Sequence, residues 1–194
     1  MAYPIGKNEV YCYAQVVDPE KKYYSSQDYH EILKKIFHSY GGIAKILFEQ
    51  LPASTNIIPG RMTSLKAVKF QQGKIAFIGD AAHGCTTMLQ QGAASAFEDA
   101  ITLYELLKQF SFPAAFEHYE RFREPQVTWL RDASDIPMKK IITMTSELLE
   151  ERNQQIRAQG PFNVIGWRQL LSKNFLNELN SYISKVTAKK ICEF

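Results

Sequence analysis

The sequence feature that most constrains the fold is a run of four apolar residues, Ile75 to Ile78, followed at once by Gly79 and Asp80. An uninterrupted apolar run of this length is typical of a strand covered on both faces, as in a parallel sheet. Gly79 lets the backbone or a ligand approach closely, because it has no Cβ. Asp80 lies just past the carboxyl end of the strand, where open α/β sheets bind ligands. This order of residues predicts an α/β fold with a ligand site at the strand end.

A second part of the predicted site follows downstream. Gly92, Ala93 and Ala94 begin a long helical stretch. Small residues at a helix start leave its N–H groups accessible, and the helix dipole favours negative charge there. We therefore expect Asp80 and this helix start to hold a polyhydroxylated, partly anionic cofactor. An unrelated α/β enzyme that uses Asp80 and a metal is an alternative, but few other ligands lie near Asp80 and His83 in the sequence.

Hydrophobic patterning predicts the other elements. Residues 1–17 predict a β-hairpin with strands at Tyr3–Ile5 and Val10–Val17, because both segments are rich in aromatic and β-branched residues. Helices are predicted over 29–40 and 43–50, the first capped by Ser25 or Ser26. Residues 55–70 are predicted to be extended, with strands at 57–58 and 65–70. Everything after Gly92 predicts helix, in apolar stripes that begin at Phe97, Phe116, Met138 and Phe175, with a loop near 157–166.

Composition and charge exclude several classes of protein. The 194 residues are 45% hydrophobic and 22% charged, which is typical of a globular chain and not of a disordered one. A net charge of +3 argues against a dedicated nucleic-acid surface. No apolar run is long enough to span a membrane, and MAYPIGKNEV does not resemble a secretory signal. Three cysteines without a CxxC pair suit a reducing compartment, so we expect a cytoplasmic protein without a zinc site.

The polar residues near the predicted site have ordinary interpretations. Glu98 and Asp99 are adjacent helical positions that point about 100° apart, so they predict surface or inter-segment hydrogen bonds and not an acid–base pair. Arg121 and Arg123 flank an aromatic stripe and are expected to be solvated or ion-paired. His83 is expected in a loop near the ligand.

The segment from Gly73 to Leu107 resembles the second flavin-binding motif of the FAD-dependent aromatic monooxygenases, the single-component flavoprotein hydroxylases. That family's pattern is a GR-type turn, an apolar strand, GDAAH, a loop, GQGxN and an EDA helix. This chain has GDAAH at 79–83, QGA at 91–93 and EDA at 98–100. YERFREP at 119–125 resembles the family's YE-x-x-R-x-P helix. The chain departs from the pattern at Gln90 and Ala94 and lacks prolines after His83.

The resemblance implies a cofactor and the residues that bind it. Asp80 would bind the ribityl hydroxyls of FAD, with Gly79 and Ala81 beside it, and the next helix start would face the pyrimidine edge of the flavin ring. The residues implied at that helix start are Gln91, Gly92, Ala93 and Ala94. In the family, NAD(P)H reduces FAD, and oxygen then forms a flavin hydroperoxide that hydroxylates a small aromatic substrate. The resemblance assigns no catalytic residue and no metal ligand here.

The resemblance covers only the C-terminal half of the family fold. GxGxxG, which binds the FAD pyrophosphate, occurs nowhere in the sequence. We therefore expect a mixed α and β fragment of the two-domain FAD/NAD(P)-binding fold without its N-terminal βαβ unit. Residues 1–72 would form part of the substrate-side antiparallel sheet domain, 73–130 the last strand and helices of the FAD-binding domain, and 131–194 a helical region.

An incomplete fold leaves the strand at 75–78 without parallel neighbours. Exposing those side chains forgoes about 5–10 kcal/mol of burial, at about 1.5–3 kcal/mol for each large apolar side chain. The chain is therefore expected to pair with a polypeptide carrying the N-terminal half or with a second copy of itself. The alternative is a non-catalytic remnant or interaction module that keeps the fold without the chemistry.

Overall fold

The computed structural model of the chain describes residues 2–17, 28–142, 144–159 and 174–192. Its contacts divide the chain into two compact units, Met1–Arg61 and Met62–Phe194. The predicted site lies wholly in the second unit.

In its described residues, the first unit has a hairpin followed by two helices. Strands β1 (Ala2–Pro4) and β2 (Val10–Cys12) pair antiparallel. Helices α1 (Tyr29–Phe37) and α2 (Gly42–Glu49) follow. Phe37 of α1 is buried and stacks on Phe48 of α2, with ring centroids 4.4 Å apart. The predicted hairpin and the two predicted helices are therefore confirmed, although β2 ends well before Val17. The predicted capping residues Ser25 and Ser26 lie outside the described residues.

The second unit is mostly helical. Strands β3 (Gln71–Gln72) and β4 (Ile75–Ala76) form an antiparallel hairpin. The helices that follow are α3 (Asp80–His83), α4 (Gly92–Leu107), α5 (Phe112–Ile142), α6 (Ser146–Gln159) and α7 (Phe175–Cys192).

Helix α5 continues through Pro125 and Pro137, although proline lacks the N–H of the helical hydrogen bond. Its buried stripe continues on both sides of Pro125, so packing maintains the helix there; the stripe includes Tyr119, Phe122, Val127 and Leu130.

The core of this unit lies between α4, α5 and the β3–β4 hairpin. Phe70, Leu106 and Tyr119 are fully buried in it. The Tyr119 hydroxyl donates a hydrogen bond to the backbone oxygen of Phe77 at 3.0 Å. Burial raises the pKa of Tyr119, which keeps its hydroxyl protonated as a donor. This bond joins α5 to the segment between β4 and the predicted site.

The strand itself differs from its prediction. β4 is two residues long and pairs antiparallel with β3, and Ile75 and Ile78 are 60% and 44% exposed. The expectation of a strand covered on both faces is therefore wrong for the described residues, because no parallel neighbour covers it there. Residues 57–58 and 65–70 form no strand. Instead, the backbone N–H of Leu65 donates to the oxygen of Gly84 at 2.8 Å, which joins the extended segment to the end of α3.

Helix α4 buries a different face from the one its apolar stripe suggests. Phe97 and Tyr104 of that stripe are 71% and 63% exposed, whereas Ser95, Asp99 and Thr102 are buried. The side of α4 that packs on the unit is therefore partly polar, and its apolar side faces outward.

No helix in the described part of the chain is long and apolar enough to cross a membrane. The mixed α and β architecture predicted from the sequence is observed, with two small sheets among the residues that the structure describes.

Candidate functional site

The turn between the strand and α3 requires glycine. Gly79 has φ 57° and ψ −138°. This backbone conformation is strained for any residue that carries a side chain. It is also buried, and a Cβ built on it would lie 3.1 Å from the Cβ of Ala96 in α4. The turn and α4 are therefore in close contact, and the chain emerges from this contact at Asp80.

Asp80 lies beside the N-terminus of α4. The Oδ1 atom of Asp80 is 4.0 Å from the position that a Cβ on Gly92 would take. Gln91, at the N-cap of α4, makes no side-chain capping bond. Because the first N–H groups of a helix have no partner within it, those at the start of α4 are available to a ligand. An anionic acceptor and a row of backbone donors thus lie next to each other.

Most residues predicted to bind the cofactor meet at this surface. Asp80, Ala81, Ala93 and Ala94 are exposed, and Gln91 and Gly92 are partly exposed. Gly79 is buried behind them. Ala93 and Ala94 present only methyl groups at the helix start, and Gly92 presents no side chain beside the carboxylate of Asp80. These residues suit the ribityl chain and ring edge of a flavin, which offer hydroxyl donors and an anionic edge.

A buried carboxylate supports the turn from behind. Asp99 on α4 is fully buried, and its Oδ2 atom accepts hydrogen bonds from the Gly79 N–H at 2.9 Å and from His83 Nε2 at 2.6 Å. Its Oδ1 atom accepts from Arg123 Nε of α5 at 2.8 Å. Asp99 therefore joins the strand end, the end of α3, and α5.

Arg123 completes this cluster. It is 1% exposed, and its two terminal nitrogens donate to Glu98 Oε2 at 2.8 Å and to the backbone and side-chain oxygens of Ser95 at 3.1 Å and 2.8 Å. It also donates to Gln126 in its own helix. A guanidinium in a buried position requires such an array of acceptors, because an unpaired buried charge is strongly destabilising. We call Asp99, His83 and Arg123 the buried cluster.

The buried cluster determines the charge state of Asp99. Burial acts to raise the pKa of Asp99, but hydrogen bonds from His83, the Gly79 amide and Arg123 outweigh burial and hold the pKa below its usual value. Asp99 is therefore a carboxylate at neutral pH, and His83 Nε2 is the donor to it. The His83 ring is 2% exposed and points toward Asp99, not toward the open surface at Asp80.

This lowered pKa predicts a stability change at acidic pH. A carboxyl group whose pKa is lower in the folded state stabilises the fold above its unfolded pKa, and this stabilisation is lost as the pH falls through the folded value. The difference in Tm between the wild-type chain and Asp99→Asn should therefore be largest above about pH 4 and narrow below it. Thermal unfolding followed by circular dichroism from pH 7 to pH 2.5 measures this difference. Asp132→Asn, at an exposed carboxylate, is the control and should show little difference at any pH; a constant Asp99→Asn difference down to pH 2.5 would contradict the prediction.

Cys85 lies between α3 and α4 and is partly buried, whereas Cys12 in β2 is exposed. Burial raises the pKa of the Cys85 thiol, and the charges of Asp80 and Asp135 act in the same direction. Because the thiolate is the reactive form, iodoacetamide at pH 7.5 should alkylate Cys12 several times faster than Cys85. Mass spectrometry of the peptides over time measures both rates. In guanidinium the two alkylation rates should become similar. Faster alkylation of Cys85 than of Cys12 in the folded chain would contradict the burial of the Cys85 thiol.

Sequence reasoning predicted the exposed residues near Asp80 as a site, but it did not predict the buried cluster. Asp99 was expected to make surface or inter-segment hydrogen bonds, and it makes the latter. Arg123 was expected to be solvated or ion-paired, and it is ion-paired but buried. The sequence did contain a signal for the burial of Arg123, because Arg123 follows the buried Tyr119 by four residues and so shares its helix face.

In the described residues, no group of three His, Cys, Asp or Glu side chains is arranged to hold a metal ion.

Comparison with known proteins relates this chain to flavoenzymes. The chain is 30% identical over 162 residues to the FAD-dependent urate hydroxylase of Mycolicibacterium vanbaalenii, covering 78% of this chain and 40% of the relative. Over 53 residues it is 47% identical to the 3-hydroxybenzoate 6-hydroxylase of Polaromonas naphthalenivorans, covering 26% of this chain and 13% of the relative. The crystal structure of Klebsiella pneumoniae HpxO complexed with FAD and uric acid matches with a TM-score of 0.63 at 21% identity, covering 86% of this chain and 40% of that one.

The match is partial in length. No family model matches the sequence. The chain spans less than half the length of these curated relatives. The structural match shows a shared fold, in agreement with the predicted fragment of the flavoprotein monooxygenase fold, and the sequence matches are to hydroxylases and monooxygenases. The chain is thus homologous to part of the FAD-dependent aromatic hydroxylases and monooxygenases, the family that its GDAAH, QGA and EDA motifs resemble.

Proposed function

We propose that this chain is the flavin-binding C-terminal portion of an FAD-dependent monooxygenase that hydroxylates a small aromatic substrate. The observation that carries the proposal is the exposed carboxylate of Asp80 beside the uncapped N-terminus of α4. Homology to FAD-dependent hydroxylases supports FAD as the ligand. FAD, when bound and reduced by NAD(P)H, would supply the oxygen-activating chemistry.

The chain's own groups would bind and orient the flavin. The Asp80 carboxylate accepts hydrogen bonds from hydroxyls of the ribityl chain, and charge-assisted bonds of this kind are stronger than neutral ones. The N–H groups of Gly92, Ala93 and Ala94 would bind the part of the flavin that becomes negative on reduction. The helix N-terminus stabilises this charge, which favours the reduced flavin.

A set of flavins of decreasing size tests the role of Asp80. Riboflavin keeps the ribityl chain, whereas lumiflavin carries a methyl group in its place. Asp80→Ala should weaken the binding of FAD and riboflavin about 10- to 100-fold, because hydrogen bonds to a charged group contribute about 1.5–3 kcal/mol. It should leave lumiflavin binding nearly unchanged. Quenching of flavin fluorescence on titration gives each Kd.

Asp132→Ala is the matched control, because Asp132 is an exposed carboxylate of the same unit. It should alter none of the affinities. Equal loss of lumiflavin and riboflavin binding in Asp80→Ala would show that Asp80 does not contact the ribityl chain. If FAD at high micromolar concentration fails to bind the wild-type chain, the result favours the alternative, a remnant or interaction module without flavin chemistry.

We also propose that a further polypeptide covers the outward apolar side of α4. Phe97, Tyr104 and Leu107 are 71%, 63% and 46% exposed on that side, and burying large side chains of this kind favours association. The partner would be a second copy of the chain or a polypeptide that carries a GxGxxG βαβ unit. Light scattering over a range of concentrations distinguishes them: a dimer that Tyr104→Lys dissociates supports the second copy, and a monomer at all concentrations excludes it.

A further inference from the structure

One oxygen of Asp99 holds both ends of the turn that presents Asp80. Its Oδ2 atom accepts from the Gly79 N–H, just before Asp80, and from His83 Nε2, at the end of α3. Both bonds are buried, and Asp99 itself has no exposed surface. The four residues of α3 are thus attached to α4 at either end through a single atom.

The same helix carries the other half of the ligand surface. α4 begins at Gly92, and Asp99 lies two turns further along it. A helix is rigid over two turns, so the position of Asp80 relative to the N–H groups at the start of α4 depends on the link from Asp99 to the turn. The short contact between Gly79 and Ala96 is consistent with this link, since a Cβ on Gly79 would lie 3.1 Å from that of Ala96.

Arg123 restrains both parts of this arrangement. Its Nε donates to the second oxygen of Asp99 at 2.8 Å, which sets the plane of the carboxylate and directs Oδ2 toward the turn. One terminal nitrogen bonds both oxygens of Ser95, in the first turn of α4. Arg123 therefore connects the first turn of α4 to the carboxylate that holds the Asp80 turn.

We propose that Asp99 is a positioning residue for ligand binding: it holds the Gly79–His83 turn on α4 so that Asp80 and the N-terminus of α4 bind one flavin together. The inference deepens the proposed function and rests on it. It assigns Asp99 no contact with the ligand, because the side chain is fully buried. Its effect on binding passes through Asp80.

A double-mutant cycle tests this indirect role. Asp99→Asn should weaken riboflavin binding about tenfold in the wild-type background. In the Asp80→Ala background it should cause little further loss, because the group that it positions is already gone. The measurement is the Kd for riboflavin at a temperature at which each variant is folded by circular dichroism. Thr102→Val, at a buried polar residue one turn further along α4, is the matched control and should lower Tm without changing Kd.

Two further measurements keep the test decisive if Asp99→Asn folds poorly. His83→Gln retains a donor for Oδ2 and His83→Leu does not, so the first should bind riboflavin several-fold more tightly than the second. Without any flavin, the Gly79 amide should be strongly protected from hydrogen exchange in the wild-type chain and should lose protection in Asp99→Asn but not in Thr102→Val. NMR of the labelled chain measures that exchange.

The outcomes separate the two proposals. Two results would overturn the positioning role while the proposed function stands, provided that Asp80→Ala weakens riboflavin binding. In the first, the effects of Asp80→Ala and Asp99→Asn on the riboflavin Kd are additive. In the second, Asp99→Asn changes that Kd no more than Thr102→Val does. A Gly79 amide that exchanges freely in the wild-type chain also overturns the positioning role. If the wild-type chain binds no flavin, the proposed function fails and the positioning role fails with it.

Discussion

Replacing Arg123 by methionine is expected to lower the free energy of unfolding by about 3–5 kcal/mol, because breaking a buried ion pair leaves the carboxylate of Asp99 buried without its cation. Arg123 is 1% exposed and makes bonds to Asp99, Glu98 and Ser95. Methionine fills a similar volume but offers none of these donors. The loss is a large part of the 5–15 kcal/mol that stabilises a typical domain. Urea unfolding followed by circular dichroism measures it.

The control lies two residues away in the same helix. Arg121 is exposed, with its Nη2 atom 4.0 Å from Glu117, so Arg121→Met should change stability by less than about 1 kcal/mol. Adding Asp99→Asn to Arg123→Met should recover part of the loss, because the uncompensated carboxylate is then removed. Equal effects of Arg123→Met and Arg121→Met would contradict the assignment of Arg123 to the buried cluster.

Gly79→Ala is expected to destabilise the chain by about 2–4 kcal/mol, since it combines backbone strain with a steric contact. Gly79 has φ 57° and ψ −138°, and its new Cβ would lie 3.1 Å from that of Ala96. Displacement of the turn would also lengthen the bond from the Gly79 amide to Asp99 and move Asp80. Riboflavin binding by the folded variant should therefore weaken as well.

Gly73→Ala separates strain from contact. Gly73 has φ 60° in the β3–β4 turn, but nothing lies within 4 Å of the position of its Cβ. This variant should lose only about 1–2 kcal/mol, from the left-handed backbone alone, and should bind riboflavin normally. Thermal and urea unfolding of both variants, with riboflavin titrations, give the comparison. A Gly79→Ala variant as stable as Gly73→Ala would show that the turn is not packed against α4 as described.

The difference between prediction and structure is clearest on α4. Its start at Gly92 follows from local residue preferences and periodicity, and the structure has the helix start there. The apolar stripe through Phe97 and Tyr104 is also visible in the sequence, but in the structure both side chains are exposed. Periodicity identifies an apolar face, but it does not tell which surface covers that face. The buried side instead carries Asp99, whose partner Arg123 lies 24 residues away in the sequence.

From the sequence alone, Gly79, Asp80 and the start of α4 could be expected to lie together, because they occupy one short segment whose strand–turn–helix order brings them close. The motifs in that segment also indicated the family to which the chain is homologous. Only the tertiary structure decided that His83 turns inward, that Arg123 is buried and that Asp99 joins them. These contacts depend on how α3, α4 and α5 pack, and the energy of a buried charge depends on the partners around it, which local sequence does not specify.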